Sequence, residues 1–492
     1  MKKIKFLLFV LLALLYVTNA SALIKNDTFT RDGNTYMVTE MIPGTVPGTT
    51  KTYNVAFVSS TNTTVNIPAT VMDPNNQYTF NVTAIANNST VPNATSVTMP
   101  NTIVRIEANA FKDGNITSIT IPQSVTEIQS GAFGQMSHLT AINVDAANPN
   151  FRSDNGVLIE KKDSKEWVAA YPLARPDAEY TVPEGVYGVY TNAFQRASYL
   201  TKITLPASLK ESPSTAEFNG YTSAQNLREI AVAAGNTAFK SVDGVLLSAD
   251  GKKLIAYPNG KAGSPSTNPA YQGVTGQPNA SVYKVPDGVE SIDQAAFAQV
   301  NGLTAIELNG VKKLAKGAFD KAVKLRNVLL GPSVDTIEDG AFGGNNDLAA
   351  FDVDPANPNY TADNGVIYTK NKEELVLFPA GKAGEYTTLP TTKKIRNRAF
   401  YYAQKVTKVT FNSNLEIIDN DAFQATTKLA NITFEAPAKI KTIGTFAFQG
   451  SGLTELNIPA SLEVVSWSAF GSTKLKKVTV ADGSQLQSIN TG

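Results

Sequence analysis

Short stretches of this chain alternate apolar and polar residues with a period of two, as in Ile119-Thr-Ile121-Pro122 and Leu456-Asn-Ile458-Pro459. That period puts successive side chains on opposite sides of an extended strand, so one side is buried and the other faces solvent. The leading buried position is filled in turn by Ile119, Ile142, Ile203, Ile230, Ile306, Val328, Phe351, Val409, Ile432, Leu456 and Val478. A shorter apolar pair such as Val125 and Ile128 follows each stretch, and then an Ala-Phe dipeptide. Ten such dipeptides end at Phe111, Phe133, Phe194, Phe297, Phe319, Phe342, Phe400, Phe423, Phe448 and Phe470, and uninterrupted neighbours lie 22 to 25 residues apart.

A fixed step of this size marks stacked coils. About 23 residues with a handful of apolar side chains cannot offset their own ordering entropy. Stacked, each Ile, Val and Phe packs on its counterpart about 4.8 Å away, and neighbouring strands satisfy one another's N–H and C=O groups. The pattern therefore predicts a β-rich solenoid of about 23-residue coils over residues 97–492, with the Phe residues facing inward. The Ala before each Phe keeps that layer thin. For such an array the length of 492 residues measures the number of coils, not of domains.

Three inserts interrupt the array, near residues 148–183, 235–286 and 357–390. They share Asn148-Pro-Asn-Phe151, Asn236-Thr-Ala-Phe239 or Asn357-Pro-Asn-Tyr360, then an Asp/Asn-Gly turn, and then Tyr171-Pro172, Tyr257-Pro258 or Phe378-Pro379. The chain resumes at Tyr180, Tyr283 and Tyr386. Alternation around polar turns such as Asp250-Gly-Lys252 predicts β-hairpins standing off one edge as flaps. Gly263 to Ala280, rich in Pro, Ser, Gly and Asn, predicts a mobile loop. Residues 23–96 lack the Ala-Phe frame but carry strand-like runs such as Tyr53-Asn-Val-Ala-Phe57, which predicts a small N-terminal β cap. Ile489-Asn-Thr-Gly492 stops within a coil, before its Ala-Phe, so the expectation is a truncated record or an end covered by another surface.

Met1-Lys-Lys-Ile-Lys5, the apolar run Phe6 to Val17 and Ala20-Ser21-Ala22 form a signal-peptide pattern over residues 1–22, so the mature chain is expected to be secreted or at the cell surface. The run is shorter than the ~20 residues a membrane span needs. With 43 basic and 42 acidic residues the net charge is +1, which disfavours nucleic acid and anionic lipid as partners. Cysteine is absent, which excludes disulfides, a thiol nucleophile and a lipid-bearing cysteine.

The frame Leu-x-x-Ile-x-Ile-Pro-x-x-Val-x-x-Ile-x-x-x-Ala-Phe resembles the BspA-type leucine-rich repeat family of secreted and surface proteins, over about residues 97–492. The resemblance implies a leucine-rich-repeat solenoid and an adhesin's role, binding host matrix or plasma proteins or other cells. One departure concerns the slot three residues after the Phe, where the family often has Cys. Here it holds Gly114, Met136, Ala197, Val300, Ala322, Asn345, Ala403, Thr426, Ser451 and Thr473, mostly small residues that suit packing. Glu217-Phe218 in place of Ala-Phe predicts a local irregularity.

Catalytic chemistry has little to draw on. His138 is the single histidine and sits in a turn, so Ser-His hydrolysis and His-rich zinc sites are poorly supported. Asp154-Asn-Gly156 and Asp363-Asn-Gly365 suit tight turns better than calcium ligation. No catalytic, cofactor or metal residue is assigned, and none of these groups is expected. The candidate binding surface is the outward strand face, with Thr120, Thr204, Thr410, Thr433 and Thr479, plus the aromatics Tyr401, Tyr402 and Trp467. Asn143, Glu307, Asp352 and Asn457 share that face. The sequence thus favours an exported, non-enzymatic adhesion protein with protein partners. Alternatives are a cell-surface carbohydrate-binding protein, which predicts exposed aromatics in a row, and an extracellular polymer-degrading enzyme, which predicts close carboxylates at a flap.

Overall fold

A computed structural model describes residues 23–41, 53–75, 78–190, 193–194, 196–211, 224–266 and 280–490. The signal pattern of residues 1–22, the Glu217-Phe218 irregularity and most of the Gly263 to Ala280 loop lie outside them. Among the described residues there is no α-helix, and so none long and apolar enough to cross a membrane. The chain forms two compact units, residues 1–161 with 172–174, and residues 162–171 with 175–492.

In both units each coil contributes two parallel rungs. The first is a four-residue strand such as Ser118–Ile121, which pairs with Ala141–Val144 so that Ile119 stands opposite Ile142. The second is a two-residue strand such as Lys394–Ile395, in register with Ile417–Ile418. Of the eleven predicted leading positions ten are buried, from Ile142 at 0% to Ile432 at 8%, whereas Val478 is 52% exposed. Its strand Lys477–Val480 pairs only with Glu455–Ile458, so the next layer that would cover Val478 is not present among the described residues.

In the first unit Thr28–Arg31 and Asn34–Met41 form an antiparallel hairpin lying against Tyr53–Ser60. Parallel pairing then begins upstream of residue 97, because Tyr53–Ser60 pairs parallel with Thr79–Thr90, which pairs with Arg105–Ile106.

The Ala-Phe turns have a common backbone. The residue two before the Phe is left-handed in Asn109, Gly131, Ala295, Gly317, Gly340, Arg398, Asp421, Phe446 and Ser468. The residue two after it is left-handed in Asp113, Arg196, Gln299, Lys321, Gly344, Tyr402, Ala425, Gly450 and Ser472. These paired reversals wrap the chain around the ring and leave the rings in a column. Phe297, Phe319 and Phe342 stack at 4.9 and 4.5 Å, and Phe400, Phe423, Phe448 and Phe470 at 4.3, 4.9 and 5.2 Å.

The inserts do not stand off as flaps. Each is a coil of different construction, and the aromatic before its Pro takes the Phe slot. The N–H groups of Tyr171, Tyr257 and Phe378 donate to Ala193, Ala296 and Ala399, as that of Phe400 donates to Ala422. Tyr257 stacks on Phe297 at 5.1 Å and Phe378 on Phe400 at 4.3 Å. In the third insert Tyr360–Asp363, Val366–Thr369 and Glu374–Leu377 form an antiparallel meander, whose last strand joins the second ladder beside Lys394–Ile395. Val366, Ile367, Tyr368 and Leu375 are buried, which is why the meander packs inward. The meander's first turn has two left-handed central residues, Asn364 and Gly365, the geometry of a type I′ hairpin. Its Gly365 carbonyl accepts from the Phe351 N–H, so the turn closes one first-ladder sheet before the next begins.

The motif asparagine holds each insert coil to the coil before it. Asn357 is fully buried, and its Nδ2 donates to the carbonyls of Gly331 and Val334 at 2.8 and 3.0 Å. Its Oδ1 accepts from the N–H groups of Asn359 and Tyr360 at 2.9 and 2.8 Å. Asn148 and Asn236 make the same four bonds in their inserts.

Candidate interaction surfaces

The polar row of the first ladder is discontinuous. Thr410 stands between Thr387 and Thr433 on neighbouring rungs, and the Thr479 hydroxyl bonds to Asn457. Thr204 belongs to a separate sheet, between Thr181 and Ala231, and Thr120 faces Asn143 in the first unit. Thr120, Thr433 and Thr479 are exposed, while Thr204 and Thr410 are half-buried. Glu307 departs from the expected open face. It is 8% exposed, and its carboxylate pairs with Lys284 at 3.2 Å.

Tyr401, Tyr402 and Trp467 lie on the Ala-Phe turns and not on the strand face. Tyr402 occupies a left-handed position (φ 57°), which lifts its side chain out of the column, and it is 37% exposed. The Tyr401 ring meets it edge-on at 4.7 Å and carries the Arg398 guanidinium at 5.1 Å. Trp467 is 49% exposed and meets Phe446 edge-on at 4.7 Å. Between the two aromatic pairs, the Gln424 amide donates to the Gln449 carbonyl oxygen at 2.6 Å. The ridge therefore presents two edge-on aromatic pairs flanking paired amides, the amphipathic mixture common at protein contacts.

A third cluster carries no sequence signal of its own, because its residues come from a strand of the first insert and from the coil after it. Trp167 stands opposite Gly188, where no β-carbon obstructs the indole, and stacks on Tyr190 at 5.0 Å and 5°. Tyr187 meets Trp167 edge-on at 5.4 Å, holds Lys165 Nζ 3.7 Å above its ring, and donates its hydroxyl to Glu211 at 3.1 Å. All three rings are half-buried.

His138 is exposed and contacts the Ser137 hydroxyl at 3.2 Å. Among the described residues no group of three or more His, Asp or Glu side chains is arranged to hold a metal ion.

The pattern described as "BspA type Leucine rich repeat region" matches residues 50–154, 178–242, 276–377 and 380–492, well over half of the chain. The chain belongs to the BspA-type leucine-rich repeat family. No curated protein matches it. Among solved structures it is similar to the pneumococcal vaccine antigen PcpA, at 17% identity over 93% of this chain and 99% of that one, with a TM-score of 0.38. A leucine-rich repeat protein of Eubacterium ventriosum ATCC 27560 shows 17% identity over 92% and 96%, with a TM-score of 0.40. A leucine rich cell surface protein of Faecalibacterium prausnitzii A2-165 shows 16% over 94% and 96%, with a TM-score of 0.33.

Among the described residues, charged side chains pair mostly with a neighbouring coil. Lys252 and Lys312 flank Glu290 at 3.1 Å each, and Lys313 reaches Glu338 at 2.6 Å. Lys393 reaches Glu373 at 2.6 Å and Arg396 reaches Glu374 at 2.5 Å. Among the described residues these pairs neutralise their charges locally. Hydrogen bonds from Lys312 and Lys252 hold the Glu290 carboxyl below its ordinary 4.5, and Lys313 does the same for Glu338. A carboxyl held low in the folded state stabilises above its unfolded value and loses that contribution as pH falls through the folded one. Burial instead pushes the Asp320 and Asp352 carboxyls up, so their protonation relieves a cost on acidification. The Glu290→Gln variant is expected to have a slightly lower Tm than the unaltered protein above pH 4.5, the two values converging as pH falls further. A Tm series against pH tests this, and a gap independent of pH would contradict it.

Proposed function

We propose that this chain is exported and acts, without catalysis, as an interaction protein whose partners are proteins, among them host matrix or plasma proteins or the surfaces of other cells. Export rests on the signal pattern of residues 1–22. The observation that carries the reading is the turn ridge, where Trp467 and Tyr402 are 49% and 37% exposed while the column rings Phe400, Phe423 and Phe448 beneath are fully buried. Large exposed aromatics on a rigid array are costly to leave in water and are the side chains that most often anchor protein partners.

The test is immobilised-ligand binding of the mature protein to a panel of matrix and plasma proteins. Binding is expected, with a loss of at least about tenfold on Tyr402→Ala or Trp467→Ala and little change on Thr433→Ala. No binding above an unrelated solenoid of similar size would sink the reading.

The Trp167 cluster favours a second reading, capture of a saccharide, since stacked aromatic faces beside a carboxylate and an ammonium suit the apolar faces and hydroxyls of a sugar ring. A glycan array on the mature protein and its Trp167→Ala variant decides it. Loss of a glycan signal in the variant supports capture, and no signal in either removes it.

A further inference from the structure

The turn of the third insert is shorter than that of the coil it pairs with. From the second-ladder residue to the ring slot it has three positions, Leu375 to Phe378, where the next coil has five, Ile395 to Phe400. Such a turn lacks the outer positions of an ordinary one, and Pro379, the residue after its ring, is buried.

Two side chains of the Phe400 coil reach back across this short turn to the Phe342 coil on its far side. Each meets a glycine at its own position in the turn. Arg398 and Gly340 both stand two residues before the ring, and a β-carbon on Gly340 would lie 3.3 Å from Arg398 Cδ and 3.4 Å from its Nη1. Tyr401 and Gly343 both stand one residue after it, and a β-carbon on Gly343 would lie 3.4 and 3.5 Å from Tyr401 Cε1 and Cδ1. The same β-carbon would lie 2.8 Å from Oδ1 of Asp320, which leans over Gly343 from the coil before. Gly340 is left-handed (φ 74°), whereas Gly343 is not, so at Gly343 the close approach of side chains is what calls for glycine.

The two side chains also hold each other. Arg398 pairs with Asp421 at 3.3 Å and places its guanidinium 5.1 Å from the centre of the Tyr401 ring. The Tyr401 ring in turn meets the Tyr402 ring edge-on at 4.7 Å. A continuous set of contacts therefore runs from Gly340 and Gly343, through Arg398 and Tyr401, to Tyr402.

We propose that Arg398 and Gly343 are positioning residues for the aromatic anchor Tyr402. The open seat on Gly343 and the Arg398 cation hold the Tyr401 ring across the short turn, and that ring fixes Tyr402 in its exposed orientation. A ring fixed before contact loses less side-chain freedom on binding. Gly343 is buried, so it acts on a partner only through Tyr401. The anchor role of Tyr402 rests on the function proposed above, whereas the brace across the turn does not.

Acetylation of the mature protein by N-acetylimidazole, mapped by peptide mass spectrometry, reads each tyrosine separately. Tyr199, 55% exposed, serves as the internal standard, and fully buried Tyr257 reports that the fold is kept. Burial pushes the Tyr401 hydroxyl above its ordinary 10.0, so Tyr401 is expected to react more slowly than Tyr199. Its rate relative to Tyr199 should rise at least about fivefold in Gly343→Leu, which fills the seat, and in Arg398→Ala, which removes the cation. An unchanged relative rate in a variant that keeps Tyr257 unreactive overturns the proposal, and if Gly343→Leu exposes Tyr257, Arg398→Ala decides. For a panel protein bound through Tyr402, Gly343→Leu is expected to bind at least about tenfold more weakly. Equal affinity overturns the positioning role, whereas a panel without any partner defeats the function proposed above and leaves the brace to be judged by the acetylation rates.

Discussion

Replacing Phe423 with alanine is expected to destabilise the second unit by about 3 to 5 kcal/mol, the range for emptying a buried aromatic site. Phe423 is fully buried, stacks on Phe400 at 4.3 Å and Phe448 at 4.9 Å, and meets Phe411 edge-on at 5.7 Å. The neighbours cannot collapse into the space, because the backbone bonds from Phe400 to Ala422 and from Phe423 to Ala447 fix the coil spacing. Phe423→Leu should cost less, since it keeps most of the volume. Thr410→Ala, on the half-buried outer face, should stay within about 0.5 kcal/mol. Urea unfolding followed by circular dichroism and by Trp467 fluorescence measures all three. A Phe423→Ala cost as small as that of Thr410→Ala would show that the ring column does not hold the coils together.

Asn357→Ala should cost about as much, though it removes almost no apolar contact. Its four hydrogen bonds bind the third insert to the preceding coil. Truncation leaves two carbonyls and two N–H groups without their partner, at roughly 1 to 3 kcal/mol for each one that water cannot reach. The expected loss is about 3 to 4 kcal/mol. Asn357→Asp gives a sharper reading of the cause. The carboxylate still accepts from Asn359 and Tyr360 but faces the Gly331 and Val334 carbonyls without a proton to donate. Burial raises the pKa of such a group, so its penalty is present at neutral pH and shrinks as acidification protonates it. The difference in stability between Asn357→Asp and the unaltered protein should narrow as pH is lowered from 7, and a constant difference would contradict the assignment.

The solenoid was legible because its cause is repeated. Ile119, Ile142 and their successors must alternate with polar residues to form strands, and Ala-Phe must recur at the coil spacing for the rings to stack. The inserts are recognisable in the sequence but their placement is not, because alternation around a polar turn describes a hairpin and says nothing about which neighbour buries it. Ala170-Tyr171 and Ala256-Tyr257 are Ala-Phe turns with one residue changed, and the clue was the small residue before the aromatic. Glu307 reads as an outward carboxylate because strand parity says nothing about how far an outward position is covered. Trp467 and Tyr402 were visible as departures from the repeat at defined slots. Trp167 was not, since the glycine that admits its ring, Gly188, lies twenty-one residues away in the chain. The shortened turn of the third insert leaves a length signal alone, three positions from Leu375 to Phe378 where the coil it pairs with has five from Ile395 to Phe400.

Because the second and third inserts each close one first-ladder sheet with a turn glycine, Gly244 or Gly365, and open the next ring column with their own aromatic, this stretch of the second unit is assembled from blocks. A block runs from one motif asparagine, Asn236, to the residue before the next, Asn357, and each of its coils bonds only to its neighbours. Duplication or loss of such a block changes the length of the protein without rewriting the contacts on either side. The step of sequence change that such a chain tolerates most readily is therefore the whole block, while the loss of two residues within an ordinary coil would cut its turn from the span of Ile395 to Phe400 to that of Leu375 to Phe378.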